Sequence, residues 1–284
     1  MLRSSLSERK VGLALGSGAA KGLAHIGVLA ALQEQGIRMD MIAGTSMGSF
    51  VGALYACGKD VDQIRSLAID LGPKRFSFLA DLALPKSGFI RGRKIRNMLR
   101  SIIGDIEFRD MEIPFACSAT DIESGQEVVI RQGLVREGVR ASCSIPIILT
   151  PTKLRGRYLV DGGLVDPVPV RILQEMGADF IIAVNVIPAE QQKPSEGGEK
   201  NKGSKEPNIL SIAMQTVNII SGQRLKTSLI GADVIIEPRV THIGWGDFHR
   251  ASECIYQGEL AAQASMQEIR QLLADFSLHP VSRV

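Results

Sequence analysis

The sequence predicts an α/β domain in which a mostly parallel sheet lies between layers of helices. Two observations carry this prediction. Short apolar runs rich in β-branched residues alternate with longer segments of helical periodicity, which is typical of parallel strands joined by helices. At two places a strand passes through a glycine-rich turn directly into a helix, and such turns open at the carboxyl edge of a parallel sheet, where α/β proteins bind their ligands.

The individual elements follow from periodicity and from turn residues. Seven strands are predicted, at 11–15, 41–44, 115–119, 127–130, 158–160, 180–186 and 233–237. Helices are predicted at 22–35, 47–57, 61–71, 92–103, 169–176, 209–229 and 247–276. In the last helix apolar residues recur at spacings of three, four and seven, so one of its faces should pack on the core.

Composition sets the number of domains. With 284 residues, of which 45% are hydrophobic and 22% charged, the chain is long enough to bury one large core, and a single domain over 1–284 is predicted. The segment 188–208, PAEQQKPSEGGEKNKGSKEPN, has no large apolar residue and is rich in Pro, Gly, Lys and Glu. Such a segment cannot bury enough surface to order itself, so it is predicted to be a flexible surface excursion within the domain.

Charge and cysteine content exclude several classes of function. A net charge of +3 and an aromatic content of 5% are too low to indicate nucleic-acid binding. The four cysteines share no C-x-x-C spacing, so neither a zinc site nor a disulfide framework is predicted. The first residues, MLRSSLSERK, lack the apolar core of a signal peptide, and no run is long enough to span a membrane. We therefore expect a cytoplasmic protein.

The segment LALGSGAAKGLAHIG passes from a strand through a glycine-rich loop into a helix, a layout that holds anions. Counting from Gly16, glycines fall at the first and third positions and Lys21 takes the sixth, so the dinucleotide fingerprint is not matched. Lys21 stands between Ala20 and Gly22, which excludes a P-loop. The remaining interpretations are a loop that holds a reaction oxyanion and a tight turn that binds nothing.

The second strand-to-helix turn contains Gly44-Thr45-Ser46-Met47-Gly48, a G-x-S-x-G pattern. A nucleophile elbow holds its serine on a sharp, strained turn, and Gly44 and Gly48 remove the side chains that would crowd it. The N-terminus of the following helix favours negative charge near the hydroxyl. Because acyl transfer needs a nucleophile beside a cluster of N–H donors, Ser46 is the candidate nucleophile.

A serine hydroxyl also needs a group that accepts its proton. Asp161 is the candidate because it ends a short apolar strand and is followed by Gly162 and Gly163, which allow close backbone approach. The alternative explanation is an Asx-type turn, since Asp-Gly is a common turn dipeptide, and an Asx-type turn is the stronger explanation for Asp121 and for Asp166, which precedes Pro167. A further alternative is a Ser-Asp-His triad, in which a histidine would be the base.

The order Ser46, Asp161, then His242 or His249 matches the chain order of Ser-Asp-His α/β-hydrolases. The HGGG-type oxyanion motif of that class is absent from the sequence, and a glycine loop precedes the nucleophile strand in its place. His25 follows that loop on the first helix and is interpreted as structural.

Three motifs in this order, GSGAAKG, GTSMG and DGG, resemble the patatin-like phospholipase family and specifically its bacterial members. The segments RASCSIPIILTP and YLVDGGLVDPVPV add to the resemblance, which spans most of 11–186. It implies a three-layer patatin-like fold and a lipid acyl hydrolase that uses a Ser–Asp dyad. Ser46 matches the nucleophile and Asp161 matches the base.

The resemblance also implies roles for the first loop. Gly18 and Ala19 match the positions whose N–H groups form the oxyanion hole, and Lys21 matches the basic position after them, where it would contact a lipid phosphate unless it is simply solvated. The family's triple-glycine loop has glycine where Ser17 and Ala19 stand here. Alanine keeps its N–H, but Ala19 is not expected to adopt a positive φ freely. The implied substrate is a phospholipid or lysophospholipid, with no cofactor and no metal.

The helix in GFIRGRKIRNMLRSIIG, between Arg91 and Ile103, places basic residues beside an apolar stripe. This pattern suits peripheral contact with the inner face of a membrane, and it suits equally a core-packed helix with a solvated basic face. A regulatory lipid- or protein-binding module of low activity is a further alternative to an enzyme, although intact Ser46 and Asp161 argue against it.

Overall fold

The structure, a computed structural model, describes residues 9–74, 93–187 and 209–278. The segment 188–208, for which flexibility is predicted, lies outside these residues. The described strands are β1 (Val11–Leu15), β2 (Met41–Thr45), β3 (Phe115–Asp121), β4 (Glu127–Ile130), β5 (Thr152–Leu154), β6 (Arg157–Asp161), β7 (Phe180–Val184) and β8 (Val234–Ile236). The described helices are α1 (Ala24–Glu34), α2 (Met47–Ala56), α3 (Val61–Lys74), α4 (Arg93–Ile103), α5 (Val135–Ser142), α6 (Val170–Met176), α7 (Ile209–Ser228) and α8 (Ala251–Leu278).

These strands form one mixed sheet in the order β5-β6-β3-β2-β1-β7-β8, with β4 paired to β3. Its centre is parallel, because β1 pairs in parallel with β2 and β7, β2 with β3, and β7 with β8. The antiparallel pairings involve β4, β5 and β6 at one side of the sheet. The predicted α/β class with a mostly parallel sheet is therefore confirmed.

Helices cover both faces of the sheet. On one face α1, α2 and α8 pack their apolar side chains against β1, β2 and β3 in a large core. On the other face α6 and α7 pack in a smaller core against small residues of the same strands. The strands β1, β2, β3 and β7 are buried along their whole length, which is the consequence of helices on both faces.

Strands β2 and β6 meet end to end along a single edge of β3. At both Ser118 and Ala119 one edge of β3 is occupied by β4. The opposite edge pairs Ser118 with Thr45 of β2, and one residue later it pairs Ala119 with Asp161 of β6. Since β6 runs antiparallel to β3, the carboxyl ends of β2 and β6 point at each other.

Two short elements, α5 and β5, are absent from the sequence-based prediction. Helix α5 has eight residues and contains Gly138, a residue that normally weakens a helix. Here a Cβ at Gly138 would lie 2.7 Å from the Phe108 ring, so packing requires glycine at this position. Because glycine has a low helix propensity, the sequence alone does not predict the helix. Strand β5 has three residues directly after a proline, and its partner β6 stabilises it.

Helix α4 buries its apolar stripe. Leu99 and Ile103 belong to the large core, Arg96 pairs with a glutamate of α5 at 3.5 Å, and Arg100 pairs with Asp105 at 2.8 Å. The described side chains thus fit the alternative of a core-packed helix with a solvated basic face. Within the described ranges, no helix combines the length and apolarity needed to span a bilayer.

Candidate active site

The turn between β2 and α2 holds Ser46 in a strained conformation. Its φ of 52° and ψ of −120° lie in a region that residues with a side chain rarely adopt, and its side chain is buried. Close packing enforces this turn, because a Cβ placed on Gly48 would lie 2.1 Å from the Leu15 carbonyl oxygen. Gly44 faces the start of α2 at a similarly short distance, so both predicted elbow glycines are sterically required.

Asp161 contacts Ser46 directly. The Ser46 Oγ donates a hydrogen bond of 2.6 Å to Asp161 Oδ2, and the Gly163 N–H donates one of 2.8 Å to Oδ1. The carboxylate is 2% exposed, and this burial raises its pKa to about 6, against the lowering effect of the two hydrogen bonds. The structure therefore supplies a nucleophile in contact with a base of increased proton affinity.

The glycine loop between β1 and α1 presents unpaired N–H groups. Among the described residues, the N–H groups of Gly18 and Ala19 donate to no other group, and both residues are partly exposed. Ala19 has a φ of 48°, so this alanine adopts the positive φ that, from the sequence, it is not expected to adopt freely. The conformation costs about 1–2 kcal/mol, a strain that the surrounding contacts must hold.

Several contacts hold this loop against the rest of the site. The His25 ring donates from Nε2 to the Gly16 carbonyl at 2.7 Å, and burial lowers the pKa of His25 to about 4, which keeps the ring neutral. The Ala20 N–H donates to the Trp245 carbonyl at 3.1 Å. Next to Asp161, Gly163 packs so closely that a Cβ there would lie 2.9 Å from Ser17 Oγ.

This geometry agrees with the comparison with known families. A family model described as patatin-like phospholipase matches residues 13–173. The chain belongs to this family. The match contains the glycine loop, the Ser46 turn and the Asp161 motif, so the resemblance found in the sequence is confirmed.

The relatives that this chain matches are longer proteins. An uncharacterized NTE family protein from Mycobacterium tuberculosis is 38% identical over 200 residues, which are 70% of this chain and 55% of that protein. Lysophospholipase NTE1 from Eremothecium gossypii is 31% identical over 287 residues, covering 94% of this chain and 19% of that protein. The chain thus spans about half the length of the mycobacterial relative and a fifth of the fungal one.

The fold has a counterpart among solved structures. The crystal structure of VipD from Legionella pneumophila superposes with a TM-score of 0.56 at 14% sequence identity, covering 90% of this chain and 67% of that chain. At this identity the likeness shows the shared fold.

Sequence reasoning missed a set of positioning residues at the end of α5. The Ser46 N–H donates to Ser142 Oγ at 2.9 Å, and the Asp161 N–H donates to the Ser144 carbonyl at 3.0 Å. Ser144 is in turn fixed by the buried Arg140, whose Nη1 donates to its Oγ at 2.6 Å. Two serines of one segment, separated by Cys143, therefore hold the backbones of both Ser46 and Asp161. The signal was the segment RASCSIPIILTP, which sequence reasoning treated only as context.

Replacing Ser142 by alanine should lower kcat for ester hydrolysis about tenfold with little change in KM. The substitution leaves the buried Ser46 N–H without an acceptor, which costs about 1–3 kcal/mol and loosens the strained turn. Steady-state kinetics and denaturant unfolding measure the two effects. Ser101→Ala, at an exposed serine of α4, is the matched control. Full activity of the Ser142 variant would show that the contact does not position the nucleophile.

The other candidate acids and histidines lie away from Ser46 Oγ. Asp121 accepts from the Glu123 N–H at 3.0 Å, as expected of a turn residue. Asp166 accepts from the Ser228 hydroxyl, and burial near Glu127 raises the pKa of Asp166 to about 8.

The two histidines that could complete a triad, His242 and His249, are on the surface. His242 contacts Glu253 at 2.7 Å with half its side chain exposed, and His249 is exposed as well. His279 lies outside the described residues. Neither described candidate stands between Ser46 and Asp161, which are already in direct contact.

Proposed function

We propose that this chain is a serine lipid acyl hydrolase of the phospholipase A or lysophospholipase type. The observation that carries the proposal is the 2.6 Å hydrogen bond from Ser46 Oγ to Asp161 Oδ2 on a strained turn. Membership of the patatin-like phospholipase family and the name lysophospholipase borne by one relative support a phospholipid or lysophospholipid as substrate.

The mechanism follows from the contacts. Asp161 takes the Ser46 proton as Oγ attacks the ester carbonyl, and the N–H groups of Gly18 and Ala19 stabilise the resulting oxyanion, each donor contributing about 2.7–4 kcal/mol to lowering the barrier. Asp161 then gives the proton to the departing alcohol, which leaves an acyl ester on Ser46. Water, deprotonated by Asp161, attacks this ester and releases the fatty acid.

Lys21 is our candidate for the contact with a lipid phosphate. It follows Ala19 by two residues and is partly buried, and this burial lowers the pKa of its ammonium. In the part of the chain that the structure describes, no carboxylate is among the groups that influence its pKa, so its charge remains available to an anion.

We also propose a cytoplasmic location with peripheral contact at the inner face of the membrane. In α4 (Arg93–Ile103) Leu99 is buried, so a membrane contact of this helix would be ionic and would use exposed arginines such as Arg96 and Arg100.

The function is tested by labelling with a fluorophosphonate probe followed by peptide mapping. Covalent modification of Ser46, absent after Asp161→Asn, is expected, because the probe reacts with a serine that a base has activated. The protein should hydrolyse lysophosphatidylcholine before labelling. This activity should then fall in proportion to the fraction of Ser46 that is labelled. A protein that hydrolyses no lipid ester and leaves Ser46 unlabelled would be a binding module.

A further inference from the structure

The β5–β6 hairpin carries a row of exposed side chains on one face of the sheet. Tyr158 of β6 pairs with Lys153 of β5 on one side, and on the other side its carbonyl accepts from the Ile122 N–H at 3.0 Å. Residues directly opposite each other in neighbouring strands project from the same face. Ile122 is 50% exposed and Tyr158 44%, and Lys153 Nζ lies 5.4 Å from the Tyr158 ring centre.

The hairpin presents this row rigidly. Arg155 and Gly156 form a two-residue turn with φ angles of 49° and 82°, which is the geometry that matches the natural twist of paired strands. A side chain on such a hairpin loses little conformational freedom when it meets a surface. Single exposed apolar residues are common on protein surfaces, but Ile122 and Tyr158 lie side by side beside basic residues, a grouping that suits contact with a lipid surface.

The charge around the row is positive. The hairpin sequence TKLRGRY contains three basic residues and no acidic one. Lys153 and Arg155 have no acidic partner among the described residues, whereas Arg157 lies 3.8 Å from Asp121. Glu123, on the turn that follows β3, is the second acidic residue beside the hairpin. The three basic residues of the hairpin therefore outnumber these two acidic residues.

The row also lies close to the candidate active site. Tyr158 precedes Asp161 by three residues on β6, a separation of about 10 Å along a strand, and the two side chains project from opposite faces of the sheet. The hairpin extends beyond the carboxyl end of β3, while β6 runs back toward Ser46. A surface that meets the hairpin therefore lies within about one lipid length of the nucleophile.

We propose that Ile122, Tyr158 and Lys153, with Arg155, form the surface that docks this protein on an anionic lipid bilayer. A tyrosine beside lysine and arginine, with an aliphatic neighbour, suits the boundary between headgroups and acyl chains. The proposal rests on the proposed lipid hydrolase function, for which the docking surface would bring the protein to the bilayer that contains its substrate. It assigns the docking surface to the hairpin and not to α4.

Co-sedimentation with vesicles tests this surface. The intact protein should bind equimolar phosphatidylglycerol and phosphatidylcholine vesicles more tightly than pure phosphatidylcholine vesicles, and less tightly as salt rises. The double variant Ile122→Ser/Tyr158→Ser should lower the partition coefficient at least about tenfold on both kinds of vesicle. Lys153→Gln/Arg155→Gln should lower it about tenfold on anionic vesicles alone.

Two control variants sharpen the result. Tyr256→Ser removes a tyrosine of α8 that is 55% exposed and should bind as the unmodified protein does. Arg96→Gln/Arg100→Gln tests α4 in the same assay. Unchanged binding of both hairpin variants, or loss of binding only in the α4 variant, would overturn the proposal, as would absence of any vesicle binding.

A soluble substrate separates this inference from the proposed function. All hairpin variants should hydrolyse p-nitrophenyl butyrate at the unmodified rate, since none of the altered side chains touches Ser46 or Asp161. A protein that binds anionic vesicles through the hairpin but hydrolyses no ester would refute the hydrolase proposal and leave the docking surface supported. Hydrolysis of the soluble ester without vesicle binding would support the hydrolase proposal and refute the docking surface.

Discussion

Replacing Ser46 by alanine or Asp161 by asparagine is expected to reduce hydrolysis of a short-chain p-nitrophenyl ester by at least about a thousandfold. The first change removes the attacking oxygen, and the second keeps the shape of the side chain but removes the proton acceptor that lies 2.6 Å away. The double variant should be no less active than either single one, because the two groups act as a unit. Initial rates at pH 8 measure the effect.

Histidine variants are the matched controls for this result. His242→Asn and His249→Asn should keep most of the activity, since both side chains are exposed and His242 is engaged with Glu253. His25→Asn should lose stability, because the buried ring holds the Gly16 carbonyl. A normally folded His242 or His249 variant as inactive as Ser46→Ala would establish a triad in place of the dyad.

The second large effect is a dependence of activity on pH. Because burial raises the pKa of Asp161 to about 6, the base is protonated below that pH, and kcat/KM should fall about tenfold per pH unit. Above pH 7 the rate should level off. Ester hydrolysis between pH 4.5 and 8.5, with circular dichroism recorded at each pH, tests this. A profile flat down to pH 4.5 would show that the carboxylate has an ordinary pKa.

The same pKa has a consequence for stability. A folded-state pKa above the unfolded value means that the stability contributed by Asp161 is fully present below pH 3.8 and is lost as pH rises through about 6. The loss corresponds to about 3 kcal/mol. Asp161→Asn should therefore increase the free energy of unfolding at pH 8, and its advantage should shrink as pH falls from 6 to 4.

Denaturant unfolding of the variant and the unmodified protein, compared at each pH, isolates this contribution. The comparison is needed because His25 acts in the opposite direction. Its pKa is lowered from 6.5 to about 4, so the unfolded state binds a proton to His25 more readily than the folded state does, and the fold loses stability as pH falls through this range. An Asp161→Asn variant less stable than the unmodified protein at pH 8 would contradict the raised pKa.

The central strands and the two turns that carry Ser46 and Asp161 could be predicted from the sequence because their signals are local, whereas the pairing of the two residues followed only from the family resemblance. Gly48 and Gly163 mark places where a side chain has no room, and glycine patterns record such places directly. The contribution of Ser142 was not accessible. Serine at the end of a short helix has no distinctive pattern, and its acceptor role depends on a residue 96 positions away in the chain.

Helix α4 shows a second limit of sequence reasoning. A core-packed helix and a membrane-surface helix share the same amphipathic pattern, and only tertiary contacts such as the burial of Leu99 distinguish them. The apolar side chains that do remain exposed near the site, Ile122 and Tyr158, stand singly in the sequence. They form a row only because β3, β6 and β5 lie side by side.

The end-to-end arrangement of β2 and β6 on β3 also bears on how the protein folds. Ser46 and Asp161 are 115 residues apart in the chain, so their contact closes a long loop and must wait until β3 has recruited both partners. Helices form much faster than such non-local pairings. During refolding from denaturant, the far-ultraviolet signal should therefore recover well before esterase activity, which makes catalysis a reporter of the last strand to dock.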